Sequence, residues 1–244
     1  MKFHVVTLFP EMFDGPITSS IIGRAVSNGI IEIEFVNPRE FTTDKHRSVD
    51  APPYGGGPGM VMMAPPLAKA VDSINDQYGT GHGPKTILMS PQGIPMNHKI
   101  ANDLSDFAAT TLVCGHYEGV DERFIEEYVD LEISVGDFVM TGGEIPAMAV
   151  IDSVTRLLPG ALGSADSTIS ESFSVASGGM LEGPVYTRPL EFHGRRAPEV
   201  LLNGNRQEVE QYRKRVAAER TMARRPDLIR GWGPDPEDGD LNSP

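Results

Sequence analysis

Short apolar runs and stretches with helical spacing alternate through the first 160 residues. Runs rich in Val, Ile and Phe between turn residues predict strands, and apolar residues recurring every three or four positions predict amphipathic helices. The predicted strands are Phe3–Phe9, Ile30–Val36, Thr86–Met89, Thr111–Cys114 and Glu132–Val135. The predicted helices are Glu11–Ser27, one opening at Pro65 and Pro66, Asn97–Phe107, Asp121–Tyr128 and Pro146–Leu158. Strands separated by helical crossovers predict an α/β domain with a mostly parallel sheet.

The pattern changes beyond residue 160 and divides the chain into four predicted segments. Residues 1–160 form the α/β domain. Residues 161–182 are rich in Gly, Ser, Ala and Asp without periodicity, which predicts a flexible linker that could act as a lid. Residues 183–230 are predicted to form a small helical, basic domain. Residues 231–244 hold three Pro, three Gly and four acidic residues, which predicts a disordered tail.

Composition narrows the class of protein. In 244 residues, 39% are hydrophobic and 23% charged, which is ordinary for a folded globular protein. The single cysteine excludes an internal disulfide framework and a cysteine-rich zinc site. No stretch approaches the roughly 20 apolar residues of a membrane-spanning helix, and the apolar run at the start is too short for a signal peptide. We therefore expect a cytoplasmic protein that is not associated with a membrane.

The net charge of −13 argues, taken alone, against a protein that coats nucleic acid. The charge is unevenly distributed, however. Residues 1–185 carry 10 basic and 24 acidic residues, whereas residues 186–230 carry 11 basic and 6 acidic residues. Such asymmetry is typical of a segment that contacts nucleic acid. A solvated helical surface is the alternative interpretation.

Three glycine-bearing loops follow predicted strands, at Ser90–Gly93, Gly115–Arg123 and Gly136–Pro146. Carboxyl ends of parallel strands meet at one sheet edge, so the three loops could form one pocket for a small planar ligand. None has a phosphate-binding glycine motif. This favours a cofactor bound through adenosine and amino-acid parts, although each loop alone could be an ordinary turn.

Six motifs occur in an order that identifies a resemblance. They are Pro53–Met60 (PYGGGPGM), Ser90–Gly93 (SPQG), Cys114–Arg123 (CGHYEGVDER), Gly136-Asp137, Gly142–Ala147 (GGEIPA) and Tyr186–Pro189 (YTRP). Together they resemble the bacterial tRNA (guanine-N1)-methyltransferases of the SPOUT superfamily. The resemblance runs from Met1 to about Leu228.

The resemblance implies transfer of the methyl group of S-adenosylmethionine to N1 of the guanosine immediately 3′ of the tRNA anticodon, which maintains the reading frame. It implies an α/β domain with a deep trefoil knot, followed by a linker and a small helical C-terminal domain. It also implies an obligate homodimer, with active sites at the subunit interface, and dependence on magnesium. No metal site is recognisable in the sequence, because the six histidines lack metal-ligand spacing.

By resemblance, three segments should line the cofactor pocket, Leu88–Gly93, Cys114–Gly119 and Ser134–Pro146. The implied cofactor-binding residues are Leu88, Met89, Ser90, Pro91, Gly93, Gly115, Tyr117, Glu118, Gly119, Ser134, Val135, Gly136, Phe138, Met140, Gly142, Gly143 and Pro146.

Two residues match the family's catalytic positions. Guanine N1 needs a general base, and the resulting charge on O6 can be stabilised by a guanidinium group. Arg156 occupies the arginine position. Glu171 stands before Ser172-Phe173 where the family usually has Asp, and Asp166 is a second candidate for the base. The chain also departs from the family at Ala51, and in residues 174–182, which are slightly longer.

The basic segment would contact the phosphates of tRNA. We expect Arg188, Arg213, Lys214 and Arg224 to contribute to tRNA affinity. Two alternatives remain open at this point. One is another SPOUT methyltransferase that acts on a ribose 2′-hydroxyl, and the other is a knotted RNA-binding protein that has lost catalysis, for which Glu171 would be the only support.

Overall fold

The strands of the first part of the chain pair as the alternation of apolar and polar residues predicts. A computed structural model describes residues 1–79, 83–163 and 168–230, and its contacts divide the chain into two units, Met1–Gly163 and Ser164–Pro244. The strands of the first unit are β1 Lys2–Val6, β2 Glu32–Val36, β3 Asp50–Ala51, β4 Val61–Met62, β5 Lys85–Pro95, β6 Ala109–Cys114 and β7 Leu131–Ser134.

Five of these strands form one sheet in the order β2-β1-β6-β5-β7, and every pairing in it is parallel. In the register, Val5 lies opposite Phe35 and Leu112, and Leu88 lies opposite Val113. The short strands β3 and β4 form a separate antiparallel pair. The predicted α/β class with a mostly parallel sheet is therefore confirmed.

Helices connect the strands of the first unit, as crossovers between parallel strands require. They are α1 Asp14–Thr18, α2 Ser20–Ser27, α3 Ala64–Asn75, α4 His98–Ser105, α5 Glu122–Tyr128 and α6 Glu144–Thr155. Three 3₁₀ helices lie at Pro10–Phe13, Pro38–Phe41 and Asp76–Tyr78. Asn97 caps α4, because its side chain accepts a hydrogen bond of 3.0 Å from the N–H of Ile100.

The core lies on both faces of the sheet, because successive residues of each strand point to opposite sides. On one face, Ile87 and Leu112 pack with residues of α2, α4 and α6. On the other face, Leu88 and Val113 pack with residues of α3 and α5. Helices covering both faces leave the carboxyl edge of the sheet as the place for a ligand.

The predicted helix Glu11–Ser27 is wrong as one element. The segment forms a 3₁₀ helix followed by α1 and α2, with Ser19 extended between the two α-helices. Pro16 lacks an N–H and suits only a first helical turn, which it occupies in α1. Gly23 packs so closely on the Thr18 carbonyl that a side chain there would collide. The apolar spacing continues across this break and conceals it.

The expected end of β5 at Met89 is also wrong. Pairing with β7 continues to Pro95, with a shift in register between Met89 and Ile94. Ser90–Gly93 is therefore a bulge within a strand. A bulge leaves residues of one strand unpaired before pairing with the neighbouring strand resumes. The apolar run ends at Met89 and therefore does not indicate that the strand continues beyond the bulge.

The second unit is dominated by one long helix. Its elements are the antiparallel pair β8 Glu191–Phe192 and β9 Arg195–Arg196, a 3₁₀ helix at Glu199–Leu201, α7 Arg206–Arg224 and α8 Asp227–Arg230. Asn205 caps α7 by accepting from the N–H groups of Gln207 and Glu208. Residues 164–167 of the predicted linker and the predicted tail 231–244 lie outside the described residues.

Residues 168–182 are held within the second unit by hydrogen bonds. The N–H of Phe173 donates to the carbonyl of Met180 at 2.9 Å. The N–H of Leu181 donates to the Thr221 hydroxyl of α7 at 3.0 Å. This segment therefore folds back on itself and attaches to α7.

Within residues 1–79, 83–163 and 168–230, every helix is too short or too polar to cross a membrane.

Candidate active site

A cavity of about 230 Å³ opens at the carboxyl edge of the sheet in the first unit. It lies where β6 and β7 end and where β5 bulges, so the Ser90–Gly93 bulge and the loops after Cys114 and Ser134 all reach it. The three strands are neighbours in the order β6-β5-β7. The three loops expected to form a composite pocket are therefore brought together.

Most of the residues expected to bind the cofactor line this cavity. Those that do are Leu88, Met89, Ser90, Pro91, Gly115, Tyr117, Glu118, Gly119, Ser134, Val135, Gly136, Phe138, Met140, Gly142, Gly143 and Pro146. Gly93 does not line the cavity. It packs against the backbone of Glu132 and Ile133, where a side chain would collide, so its absence of a side chain lets β5 approach β7.

Several lining residues were missed by the sequence analysis. They are Gln92, His116, Val120, Glu122, Ile125, Ile133, Val139 and Thr141. Gln92, His116, Val139 and Thr141 stand within the three segments expected to line the pocket but were not named individually. Val120 and Glu122 stand in the glycine-bearing loop Gly115–Arg123. Ile125 lies on α5, and only the packing of that helix brings it to the cavity.

The Gly- and Pro-rich loop at residues 52–60 supports one wall of the cavity. The N–H of Glu118 donates to the Met60 carbonyl at 2.9 Å, and the N–H of Met62 donates to the Gly119 carbonyl at 2.9 Å. Gly59 has a φ of +80° and lies so close to Glu118 that a side chain there would strike it. The loop therefore fixes the backbone of the segment that follows β6.

Tyr117 adopts a strained backbone conformation at this wall. Its φ is +61°, which residues with a side chain rarely adopt outside functional or tightly constrained positions. Arg39 donates from Nη2 to the Tyr117 hydroxyl at 3.5 Å and from Nη1 to the Arg47 carbonyl at 3.1 Å. The conformation turns the chain at the rim of the cavity.

A buried carboxylate lies behind the cavity. His116 Nε2 lies 2.7 Å from Glu144 Oε2, and Thr7 donates from its hydroxyl to Glu144 Oε1 at 2.7 Å. The ring of His116 also packs on that of Phe9, with centroids 4.9 Å apart. The sequence signal for Glu144 was its place after two glycines at the start of a helix, but its partners come from distant segments.

Acidic side chains, and no lysine or arginine, line the cavity within the described residues. The carboxylates are Glu118 and Glu122. Cys114 ends β6 beside the cavity and is fully buried, and burial raises the pKa of its thiol well above the usual value. The carboxylates therefore suit a ligand that is neutral or positively charged. The Cys114 thiol stays protonated.

The two expected catalytic residues belong to different units. Arg156 is half-buried and ends α6 in the first unit, where its N–H donates to the Asp152 carbonyl at 3.2 Å. Glu171 is half-buried in the second unit, and its carbonyl accepts from the N–H of Ser174 at 3.3 Å. Asp166, the second candidate for the base, lies outside the described residues.

The four residues expected to bind tRNA are all exposed in the second unit. Arg213, Lys214 and Arg224 lie on α7, and Arg188 precedes β8. Arg213 and Arg224 are about three helical turns apart, so they share one face of α7. Lys214 already pairs with Glu210 at 2.7 Å on the helix surface.

Asp121, in the Asp-Glu-Arg sequence that ends the second loop, caps α5. Asp121 accepts from the N–H of Arg123 at 3.1 Å and from its guanidinium at 2.9 and 2.6 Å. Hydrogen bonds from that guanidinium lower the pKa of the Asp121 carboxyl. Asp121 therefore stabilises the start of α5.

Comparison with known proteins gives a consistent result over the whole chain. Residues 1–231 match the family model described as tRNA (Guanine-1)-methyltransferase TrmD. A protein of Pelotomaculum thermopropionicum named tRNA (guanine-N(1)-)-methyltransferase is 50% identical over 241 residues, 99% of this chain and 94% of its own length. Proteins of the same name from Moorella thermoacetica and Hydrogenovibrio crunogenus are 50% and 49% identical over 98% and 95% of this chain and 94% and 96% of their own lengths.

Proposed function

The chain belongs to the tRNA (guanine-1)-methyltransferase family, and from this we infer that it methylates N1 of a guanosine in tRNA. The guanosine is the one immediately 3′ of the anticodon, as the family resemblance implies. The observation that carries the inference is identity of about 50% along nearly the full length of relatives with this activity in their name. The three-loop cavity supplies the place for a cofactor.

S-adenosylmethionine is the cofactor that family membership implies, and the cavity fits it. Turns at Gly115, Gly119 and Gly136 bring backbone N–H and C=O groups close to a ligand, as recognition of an adenosine requires. The carboxylates of Glu118 and Glu122 and the lack of a lining cation suit a positively charged sulfonium. When bound, S-adenosylmethionine supplies an electrophilic methyl group.

Catalysis is assigned to Glu171 and Arg156. The Glu171 carboxylate would take the proton from guanine N1, so that the N1 lone pair could form the bond to the methyl carbon while the bond from that carbon to sulfur breaks and its electron pair goes to the neutral thioether that leaves. Loss of this proton places negative charge on O6, which the Arg156 guanidinium stabilises. Glutamate is one methylene longer than the aspartate usual in the family, and the reaction needs its carboxylate within hydrogen-bonding distance of N1.

The second unit is proposed to hold the tRNA. The four basic residues expected to bind tRNA are exposed, so they can contact phosphates without a change in the fold of this unit. They are Arg188, Arg213, Lys214 and Arg224. A base in the anticodon loop is not paired in a helix, so it can be turned out and recognised at its Watson–Crick edge. These roles are compatible with the predicted division of the chain. Residues 1–160 would be the catalytic domain, residues 161–182 the linker and lid, and residues 183–230 the tRNA-binding domain.

Magnesium, which the family resemblance implies, has no matching group of ligands in residues 1–79, 83–163 and 168–230. No three His, Cys, Asp or Glu side chains in these ranges lie together as a metal site. The described residues therefore offer no metal site built from three or more protein ligands, and no step of the reaction is derived through a metal ion.

Three further features of the family are proposed for this chain. They are a trefoil knot in the first unit, a homodimer with active sites at the subunit interface, and work in the cytoplasm, where tRNA is found. The homodimer rests on the family resemblance. Sedimentation of the full chain would measure the oligomeric state.

Methyl transfer to defined tRNA transcripts tests the proposed function. With labelled S-adenosylmethionine, we expect label in a transcript with guanosine after the anticodon and none when that base is adenosine. Glu171→Ala should abolish transfer, Glu171→Gln should remove the base while retaining size, and Glu171→Asp should remain active. Label on a ribose 2′-hydroxyl would support the other methyltransferase class, and binding of tRNA without transfer would support the non-catalytic protein.

A further inference from the structure

The buried carboxylate of Glu144 has no part in the proposed methyl transfer. It is 1% exposed, and each of its oxygens has a hydrogen-bonding partner from another segment. Thr7 follows β1, His116 lies in the loop after β6, and Glu144 itself is the first residue of α6. Three segments that are distant in sequence thus meet at one carboxylate directly behind the cavity.

Such a carboxylate needs both partners. A buried charge is tolerated only when it is paired and hydrogen-bonded. The His116 imidazole can donate from Nε2 to the Glu144 carboxylate in the 2.7 Å contact, in the tautomer that carries its proton on that nitrogen. Thr7 Oγ1 in turn accepts from the N–H of Phe9 at 3.0 Å, which fixes the direction in which its hydroxyl donates. The hydrogen-bonding network therefore has one defined arrangement.

The contact between His116 and Glu144 also joins two loops that line the cavity. His116 forms a bridge with Gly142, and the N–H of Gly143 donates to the Gly115 carbonyl at 2.9 Å. A side chain on Gly142 would collide with both the imidazole and the carboxylate. The imidazole thus lies across Gly142 and is held there by the first residue of α6.

We propose that His116 and Glu144 are positioning residues that set the separation of the Gly115–Gly119 and Met140–Pro146 loops and thereby the affinity for S-adenosylmethionine. The proposal rests on the proposed function, which provides the ligand. Its physical basis is preorganisation, since loops held in the binding geometry before the ligand arrives lose less freedom on binding. His116 lines the cavity itself, so a change in the pair is transmitted directly to the wall.

A second histidine in the same unit provides a matched control. His4 is fully buried on β1, with Nε2 2.7 Å from the Tyr78 hydroxyl and Nδ1 3.2 Å from Glu34 Oε2. The latter contact is close but not aligned as a hydrogen bond. His4 does not line the cavity. Its removal should therefore cost stability without changing the cavity.

The decisive measurement is the dissociation constant for S-adenosylmethionine by titration calorimetry, with the melting temperature of each variant. We expect His116→Ala to raise this constant about tenfold to a hundredfold, as loss of a hydrogen bond to a charged group does. The side-chain amide of His116→Gln can still donate to Glu144, so affinity should be largely restored. His4→Gln should lower the melting temperature and leave the constant unchanged.

Kinetics and hydrogen exchange separate positioning from general destabilisation. In methyl transfer, His116→Ala should raise KM for S-adenosylmethionine while kcat at saturating cofactor stays near that of the wild type. Without cofactor, backbone amides in the two loops should exchange faster in His116→Ala but not in His4→Gln. Thr7→Val removes the other hydrogen-bonding partner of Glu144. It should also raise KM for S-adenosylmethionine and speed amide exchange in the two loops, so it tests the role of Glu144 without removing the carboxylate.

The outcomes distinguish this proposal from the proposed function. If the wild type does not bind S-adenosylmethionine, the assignment of the cofactor fails. If the wild type binds and transfers methyl groups, but His116→Ala binds the cofactor equally well, the positioning role is wrong. An equal loss of affinity in His116→Ala and His4→Gln would also overturn it, because the effect would then follow stability alone.

Discussion

The cavity of the first unit and the helix α7 of the second unit differ in how they offer contacts to a ligand. The cavity is made by backbone turns at strand ends, with two carboxylates and no lysine or arginine among its described lining residues. Helix α7 instead carries six basic and three acidic residues on a mostly exposed surface. One surface is defined by shape, and the other by charge.

This difference predicts different responses to salt. Binding to phosphates releases counterions, so tRNA affinity should fall steeply as salt concentration rises. Binding of a small cofactor in a cavity shaped by the backbone should change little over the same range. The negative net charge of the whole chain therefore does not conflict with a tRNA substrate, because the basic residues are concentrated beyond residue 185.

Arg156 is the cation of the first unit that the family resemblance assigns to catalysis, and its loss should have the largest effect. Arg156→Ala should lower kcat about a hundredfold to a thousandfold, as removal of one group that stabilises developing charge does. Its effect on tRNA affinity should be small. Arg24→Ala, at an exposed position of the same unit, is the control and should be as active as the wild type. Weakened tRNA binding with unchanged kcat would make Arg156 a phosphate contact instead.

Gly115 tests whether the cavity depends on the shape of its backbone. A Cβ at this position would lie 3.3 Å from Val120 Cγ2, tighter than most packing contacts. We expect Gly115→Ala to weaken S-adenosylmethionine binding about tenfold, because crowding a packed site commonly costs 1–3 kcal/mol. This loss should be the same at low and high salt.

Gly15 provides the control for Gly115. A Cβ there would meet nothing within 4 Å, and the residue lies in α1 away from the cavity. Gly15→Ala should leave cofactor affinity unchanged. A loss at Gly115 that disappears at high salt would contradict a role based on shape.

The sequence predicted the class of the fold because apolar runs and helical spacing report directly on local structure. The five strands of the parallel sheet and the three glycine-bearing loops were predicted from these patterns. The three loops supply most of the residues that line the cavity. The predictions that failed depended on close backbone contacts, which the spacing of apolar residues does not report. The break at Ser19 follows from the contact of Thr18 with Gly23, and the role of Gly93 follows from its contact with β7. Neither contact is visible in residue order.

The same limit explains why His116 and Glu144 were missed as a pair. They are 28 residues apart and meet only because the loop after β6 lies beside the start of α6. The proposed catalytic residues are a different case. Arg156 and Glu171 were assigned their roles by resemblance to a family.

On the surface defined by charge, neighbouring residues of α7 should differ in their contributions. Arg213 is exposed, whereas the charge of Lys214 is offset by its ion pair with Glu210. Arg213→Ala should weaken tRNA binding severalfold and reduce the slope of affinity against salt by about one ion. Lys214→Ala should do less. Arg215, paired with Glu219, is the control on the same helix. Equal effects of all three substitutions would indicate that only total charge matters.

The smallest effect is expected where a charge in the first unit stabilises a helix and contacts no ligand. The Arg123 guanidinium lowers the pKa of Asp121, so the stabilisation is present above the unfolded-state pKa of about 3.9 and is lost as the pH falls through the lower folded value. Asp121→Asn keeps the cap but removes the charge, so it should cost less than about 1 kcal/mol at pH 7. Urea unfolding at pH 7 and pH 3 should show this difference shrinking with acid. A difference that is equal at both pH values would mean that the cap geometry, and not the charge, was lost.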